Sequence, residues 1–309
     1  MERVIKTKKD GAKAIPYLLP ALISIFALTF LPIVYTVYIS LTDFTMYTQS
    51  NYHFIGIQNF IDVLTGPFKQ VFLPVFGWTF SFALISTAGC FFVGLIIALV
   101  LSNKHMKEAF VYKSFLVIPW ALPVTVAILS WQGLLNTDYG AINRVLINLH
   151  ILSAPVQWLT NPWWARVAVI IVNIWLGFPY MMNICIGTIS AISEDQYEAA
   201  EVDGASKFTQ FVKITLPELA RTAYPLLISS FAFNFNNFGS AFLLTEGLPA
   251  RLDTQFAGYT DILSSTTYKL ATQFGRYDIG SALSIIIFVI IAIISGTQMK
   301  MSGQFKEVD

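Results

Sequence analysis

Six long apolar stretches of this chain contain no aspartate, glutamate, lysine or arginine: 14–42, 70–103, 114–137, 167–193, 222–245 and 279–299. Each reaches the roughly 20 residues that a helix needs to cross the hydrocarbon of a bilayer. No water is present there, so every backbone N–H and C=O must be paired within the segment, and a single segment does this only as a helix. The chain is therefore predicted to be an all-α membrane protein. Its six transmembrane helices are expected near 17–41, 78–102, 114–135, 167–189, 222–245 and 280–300. With 55% of residues hydrophobic and only 12% charged, an ordinary soluble domain of this length is excluded. Pro32, Pro119, Pro123, Pro179 and Pro225 fall inside the spans. They predict kinks rather than breaks, and kinked spans line cavities.

Basic residues set the orientation. Thirteen of the nineteen fall in the amino-terminal tail (Arg3, Lys6, Lys8, Lys9, Lys13), the second connection (Lys104, Lys107, Lys113), the fourth (Lys207, Lys213, Arg221) and the carboxy-terminal tail (Lys300, Lys306). With six spans these all lie on one side, which the positive-inside rule assigns to the cytoplasm. Both termini and the 193–217 connection are thus expected to be cytoplasmic. The first apolar run is too long for a signal peptide and no A-x-A site follows it. The expected organisation is a tail over 1–14, one transmembrane domain over 15–302 and a tail over 303–309. Trp78, Trp158, Trp163 and Trp164 are expected in the outer aromatic belt. The first span, with Tyr35 and Tyr38, should pack against a partner or lipid.

Catalytic chemistry is missing from the sequence. There is no G-x-x-x-x-G-K-[ST] phosphate loop, so a nucleotide would have to be bound by another subunit. Cys90 and Cys185 lie inside spans without paired spacing and read as small hydrophobes. His53, His105 and His150 stand alone, so no metal site is expected. A net charge of +1 carries no signal for nucleic acid.

The connection 193–217 is the most charged internal segment. Ser193-x-x-Gln196 reads as a capping box opening a short helix, and Asp203-Gly204 as its stop. A second helix would carry Phe208, Phe211, Val212 and Thr215 on one face, ended by Pro217. The result is a compact helical knob that a partner can move as a rigid body.

Polar residues inside the spans form a second signal. Asparagine in hydrocarbon is unfavourable unless it is paired or faces water. On a continuous fifth helix, Ser230, Phe233, Asn234, Asn237 and Ala241 share one face and Asn236 points elsewhere. Span four offers Asn173, Leu176, Gly177 and Tyr180. Amides hydrogen-bond hydroxyls both as donor and as acceptor, and aromatic rings cover apolar C–H faces. Two such faces suit a sugar path; helix–helix adhesion is the alternative.

The pattern Glu198-Ala199-Ala200, Gly204 and Ile214-x-Leu216-Pro217 is similar to the EAA loop of the membrane subunits of bacterial ABC importers, where that loop meets the ATPase. NIWLGFPYMM (173–182), KITLP (213–217), SFAFNFNNF (230–238) and AGYTDIL (257–263) resemble segments of the larger membrane subunit of the maltose/maltodextrin importers. The resemblance covers about residues 15–300 and is strongest after 165. It implies a type I ABC importer permease fold. In that family the equivalents of Asn173, Leu176, Gly177, Ser230, Phe233, Asn234 and Asn237 line a sugar site at mid-membrane. All seven positions hold the family's residue type here. Span three departs from the pattern: Trp120 stands for a tyrosine and Val124 for a serine, which removes a hydroxyl and a hydrogen bond. The exact oligosaccharide is left open by that change.

The resemblance implies a heteromeric complex in the bacterial cytoplasmic membrane. Its parts would be this chain, a second homologous permease subunit, an ATPase homodimer that binds ATP and Mg, and an external sugar-binding protein. The binding protein would meet the outer loops, chiefly 246–278, because 42–77 reads as only a loop. A secondary sugar transporter or channel is the alternative; such proteins carry ionisable residues in their spans, and the six stretches have none.

Overall fold

A computed structural model describes residues 16–103 and 106–301. The predicted tails 1–14 and 303–309, together with Lys104 and His105, lie outside the described residues. In chain order the helices are α1 (Pro16–Ser40), α2 (Gln58–Leu64), α3 (Lys69–Leu101), α4 (Ala109–Ala121), α5 (Val124–Leu134), α6 (Ala141–Asn148), α7 (Pro162–Ala191), α8 (Glu194–Val202), α9 (207–235), α10 (Phe238–Thr245), α11 (Leu263–Thr272) and α12 (Tyr277–Met301). Among the described residues the extended structure is one isolated bridge, Thr42 to Phe54.

Residues 16–67 and 267–286 form one compact unit. The buried Asn59 of α2 donates to the carbonyls of Ser40 and Thr42 at 2.9 and 2.8 Å, which ties off the end of α1. The 42–67 connection therefore holds a helix and is more than a loop. Phe44 packs edge-on against Tyr52 and tilted against Tyr277. Residues 16–35 of α1 are exposed throughout. That row of apolar side chains, including Tyr35, needs lipid or a partner to cover it.

The second unit, 68–266 with 287–301, is built on α3 and α7. Small residues let the two axes approach, as in other membrane helix pairs. A Cβ on Gly94 would stand 2.6 Å from the Met182 nitrogen, and one on Gly177 would stand 2.7 Å from Cys90 Sγ. Trp78, Phe82, Ile128, Val169, Val172 and Leu244 form the core around this pair at one end. Trp78 is thus interior, and the Arg166 guanidinium lies 4.5 Å over its ring. Trp158 also turns inward, donating to Asn143 Oδ1 at 2.9 Å. Of the four tryptophans expected at the membrane rim, Trp78 is buried in the core and Trp158 is half-buried against it. Trp163 remains exposed and Trp164 is borderline.

Four of the predicted spans are continuous helices: α1, α3, α7 and α12. The other two are interrupted. Span three is the pair α4 and α5, bent by 95° at Leu122–Pro123. Leu122 has ψ 146°, the extended conformation that a following proline enforces. Span five stops at Phe235 and restarts at Phe238, with Asn236 and Asn237 between. Pro123 therefore breaks its span, against the expected kink.

Two further expectations are corrected. Pro217 does not end the second helix of the 193–217 connection, because α9 runs through it from 207 to 235. A π turn at Phe211–Thr215 precedes the proline, with the Leu216 N–H donating to the Phe211 carbonyl. The same device stands before Pro32, where the Leu31 N–H reaches the Phe26 carbonyl. A widened turn accommodates the proline ring, which would otherwise crowd the carbonyl four residues back. The capping box does not form either: Ser193 sits at the N-cap of α8 without a side-chain bond to it.

The α3–α7 approach yields a test. Gly94→Ala should destabilise the protein by about 1–3 kcal/mol, because the new methyl meets backbone that cannot move aside. Gly77→Ala, with open space around its Cβ, should be neutral or slightly stabilising through helix propensity. Thermal unfolding in detergent checks the contrast.

Candidate functional site

The two interrupted spans meet α7 around a cavity of about 430 Å³. That volume is in the range of small-molecule sites. The bend at Pro123 brings Trp120 and Val124 to its wall. Asn173, Leu176, Gly177 and Tyr180 come from one face of α7. Ser230, Phe233 and Asn234 come from the end of α9, and Asn237 from the break. All ten residues singled out in the sequence as a sugar path thus line one cavity. Gly177 is also a packing residue, held against Cys90. Trp120 and Tyr180 make a tilted aromatic corner, with ring centroids 6.1 Å apart. Phe233 is 70% exposed and offers a third ring.

One network of side-chain hydrogen bonds joins α3, α7, α9 and α10. Asn234 donates to Thr87 Oγ1 of α3 at 3.1 Å. Asn173 donates to Asn234 Oδ1 at 2.9 Å. Asn237 Nδ2 and Ser240 Oγ both donate to Asn173 Oδ1, each at 2.9 Å. Asn237 also caps α10, accepting from the Ser240 N–H at 3.4 Å and donating to Ser240 Oγ at 3.1 Å. The two readings of these asparagines, adhesion and ligand path, therefore share the same atoms. An amide nitrogen has two protons and an amide oxygen two lone pairs. The network consumes both protons of Asn237 and both lone pairs of Asn173. It leaves one proton each on Asn173 and Asn234, and one lone pair each on the oxygens of Asn234 and Asn237. Those free positions can pair with hydroxyls. No lysine, arginine, aspartate, glutamate or histidine lines the cavity.

Sequence reasoning missed several members of this site. Thr87 and Ser240 anchor the network, while Cys90, Met181 and Ser229 complete the wall. Thr87, Cys90 and Gly94 recur at helical spacing along span two, which was an available signal. Asn236 is exposed and lines a neighbouring cavity with Ala232, Phe238 and Ile291, while Phe233 and Asn237 border both. Ala241, expected on the polar face, is buried in the core instead.

The 193–217 connection folds as a helix–turn–helix. Gly204 has φ +76°, which favours glycine, and a Cβ there would meet no atom within 4 Å. The Ala205 N–H donates to the Ala200 carbonyl at 2.9 Å, and Tyr197 Oη and Thr215 Oγ1 clasp the two helices at 2.8 Å. Glu198 and Ala199 are exposed on α8. Ile214, Leu216 and Pro217 lie along the shoulder of α9, away from the turn. The face expected of Phe208, Phe211, Val212 and Thr215 is divided. Phe208 is 76% exposed, whereas Thr215 is buried.

Outside the cavity, loop 246–262 is tightly bonded. Buried Asp261 accepts from the Gly258 N–H and Ser265 Oγ, both at 2.7 Å. The Tyr259 ring has Arg166 and Arg251 over it at 5.4 and 4.9 Å.

Residues 91–300 match the model of the family described as binding-protein-dependent transport system inner membrane component. The maltose/maltodextrin transport system permease protein MalF of Vibrio cholerae is 43% identical over 242 residues, 77% of this chain and 46% of that protein. The Escherichia coli K12 protein of the same name is 40% identical over 250 residues, 79% of this chain and 48% of that one. The chain thus spans about half the length of these relatives. A chain of a bacterial ABC transporter involved in the import of the acidic polysaccharide alginate superposes with a TM-score of 0.80. It is 23% identical, and the match covers 98% of this chain and 99% of that one. An amino acid ABC transporter aligns less closely, with a TM-score of 0.51. The fold is that of the membrane subunits of type I ABC importers.

The network predicts non-additive energetics. Asn173→Ala removes three hydrogen bonds; at about 0.6 kcal/mol for each such bond in a membrane bundle, it should cost about 2 kcal/mol. Asn236→Ala should be close to neutral. Asn173→Ala with Asn237→Ala should cost less than the sum of the two, since they share a bond. Thermal unfolding in detergent reads all four proteins.

Proposed function

The chain belongs to the family of binding-protein-dependent transport system inner membrane components, and on that premise we propose that it is one membrane-spanning subunit of an ATP-driven oligosaccharide importer. The observation that carries the sugar is the uncharged cavity, with free amide donors and acceptors beside three aromatic rings. Sugar hydroxyls match the free amide positions, and C–H faces match the rings. A uronate-rich chain such as alginate would bring charges that this wall does not balance. The substrate class favoured is therefore neutral and maltodextrin-like, in keeping with the names of the 40–43% identical relatives. An ion-coupled transporter would be expected to carry an ionisable group at the site, which this wall lacks.

The coupling follows from the same premise. Glu198, Ala199, Ala200 and Gly204 form the tip that would enter a cleft of an ATPase homodimer carrying ATP and Mg. Ile214, Leu216 and Pro217 would form its shoulder. A second homologous permease would complete the cavity, and an external sugar-binding protein would deliver substrate to the outer loops, including 246–262. Both termini would then be cytoplasmic.

Two experiments test this reading. Gly204→Asp should leave the subunit inserted, since no atom crowds the position and aspartate tolerates φ above zero. It should abolish uptake and sugar-stimulated ATP hydrolysis, because the added side chain meets the partner. Normal uptake by this variant would refute the coupling role. The second concerns selectivity. Trp120→Tyr with Val124→Ser adds two hydroxyls to the wall, and a site that pairs with a hydroxyl discriminates more sharply than one that does not. The uptake ratio of maltose to longer glucans should rise. An unchanged ratio would assign selectivity to the external protein.

A further inference from the structure

A second cavity, of about 690 Å³, lies on the same pair of helices nearer the coupling loop. Along α7 the upper cavity takes Asn173, Leu176, Gly177 and Tyr180, and the lower one takes Asn183, Gly187 and Ala191. These positions step by three or four residues and so form one continuous helix face. On α9 the lower cavity takes Glu218, Thr222 and Leu226, and the upper one continues with Ser229, Ser230 and Phe233. At 1.5 Å of rise per residue, the two cavities are centred about 15 Å apart. The two cavities therefore lie in line along α7 and α9, the upper at the amide network and the lower at the first turn of α8.

The lower cavity differs in chemistry. Asn183, Thr188, Ser193, Gln196, Glu218 and Thr222 give it amides, hydroxyls and one carboxylate, and no aromatic ring lines it. Ser193 and Gln196 are the residues of the capping box that does not form. Ser193 makes no side-chain bond to α8, and both line the cavity instead. Asn183 spends one amide proton on the Pro179 carbonyl at 2.9 Å and keeps its oxygen. Glu218 pairs with Arg221 at 3.1 Å, and its side chain is 44% exposed.

We propose that this lower cavity is a second sugar subsite, occupied by the oligosaccharide as it leaves toward the cytoplasm. The inference rests on the oligosaccharide reading above. Hydroxyls would pair with Gln196, Asn183, Thr222 and the Glu218 carboxylate. With no ring to stack on, the sugar is held weakly, as release requires. A sugar here also touches the start of α8, so the substrate bears directly on the element that meets the ATPase. Coupling then needs no longer path than one helical turn.

The test uses the full transport complex in proteoliposomes, with maltotriose as the probe and a small thiol reagent applied from the cytoplasmic side. Three single variants are compared with the parent chain, whose Cys90 lines the upper cavity and whose labelling is subtracted as background. Ser230→Cys reports the upper cavity, Thr222→Cys the lower one, and Ala220→Cys an exposed position of α9 that lines neither. Maltotriose should slow labelling several-fold at Ser230→Cys and at Thr222→Cys, and leave Ala220→Cys unchanged. Protection at Ser230→Cys alone would overturn the lower subsite and leave the importer reading standing. Equal slowing at Ala220→Cys would mark a conformational change and also overturn the subsite. Protection at neither cavity position would overturn the oligosaccharide reading itself.

Discussion

Everything at the centre of this protein depends on one requirement: a helix may be broken inside hydrocarbon only if the freed polar groups are satisfied by other parts of the protein. At Asn236–Asn237 the fifth span breaks, and the side chain of Asn237 caps the helix that follows. The same amide bonds to Asn173 of α7, which bonds to Asn234, which bonds to Thr87 of α3. The network thus stabilises the break and orients the amides that face the cavity. Removing a member exposes unpaired donors in a medium that offers no water.

The second organising feature is the continuity of α9. It begins in the 193–217 connection at 207, passes Pro217 through a π turn, and ends at Phe235 beside the cavity. Thr215, clasped to Tyr197 of α8, lies within that π turn. The segment clasped to α8 and the cavity residues Ser230, Phe233 and Asn234 therefore lie on one helix. A proline that ended the helix, as the sequence suggests, would have left a joint there. The widened turn keeps the hydrogen bonding while admitting the ring, and it supplies a local bend without interrupting the rod.

Packing between α3 and α7 supplies the frame on which α9 packs. Gly94 and Gly177 bring backbones into contact, so the frame has little room to relax. Cys90 sits in that contact and also lines the cavity. Its thiol reaches the carbonyls of Asn173 and Ile174 at 3.9 Å. The wall of the site is in this way continuous with the tightest part of the core.

The sequence by itself determined the membrane class, the approximate place of the apolar segments, and ten of the fourteen residues that line the cavity. The reason is energetic: charges are excluded from hydrocarbon, and an amide within it is costly enough to be conspicuous. The likeness of the 193–217 connection to a coupling loop was legible because its glycine serves a fixed backbone need. Gly204 does adopt a positive φ. The tertiary structure alone decided where spans three and five break, that α9 passes through Pro217, and that Ser193 and Gln196 leave their capping roles. It alone showed Trp78 as interior, and Thr87 and Ser240 as anchors of the network. Helical periodicity does not report a break of two residues. A serine or threonine in a helix can always satisfy itself on the carbonyl one turn back. Whether it reaches a neighbouring helix instead depends on how closely that helix approaches, and this distance is set by packing between segments remote in the chain.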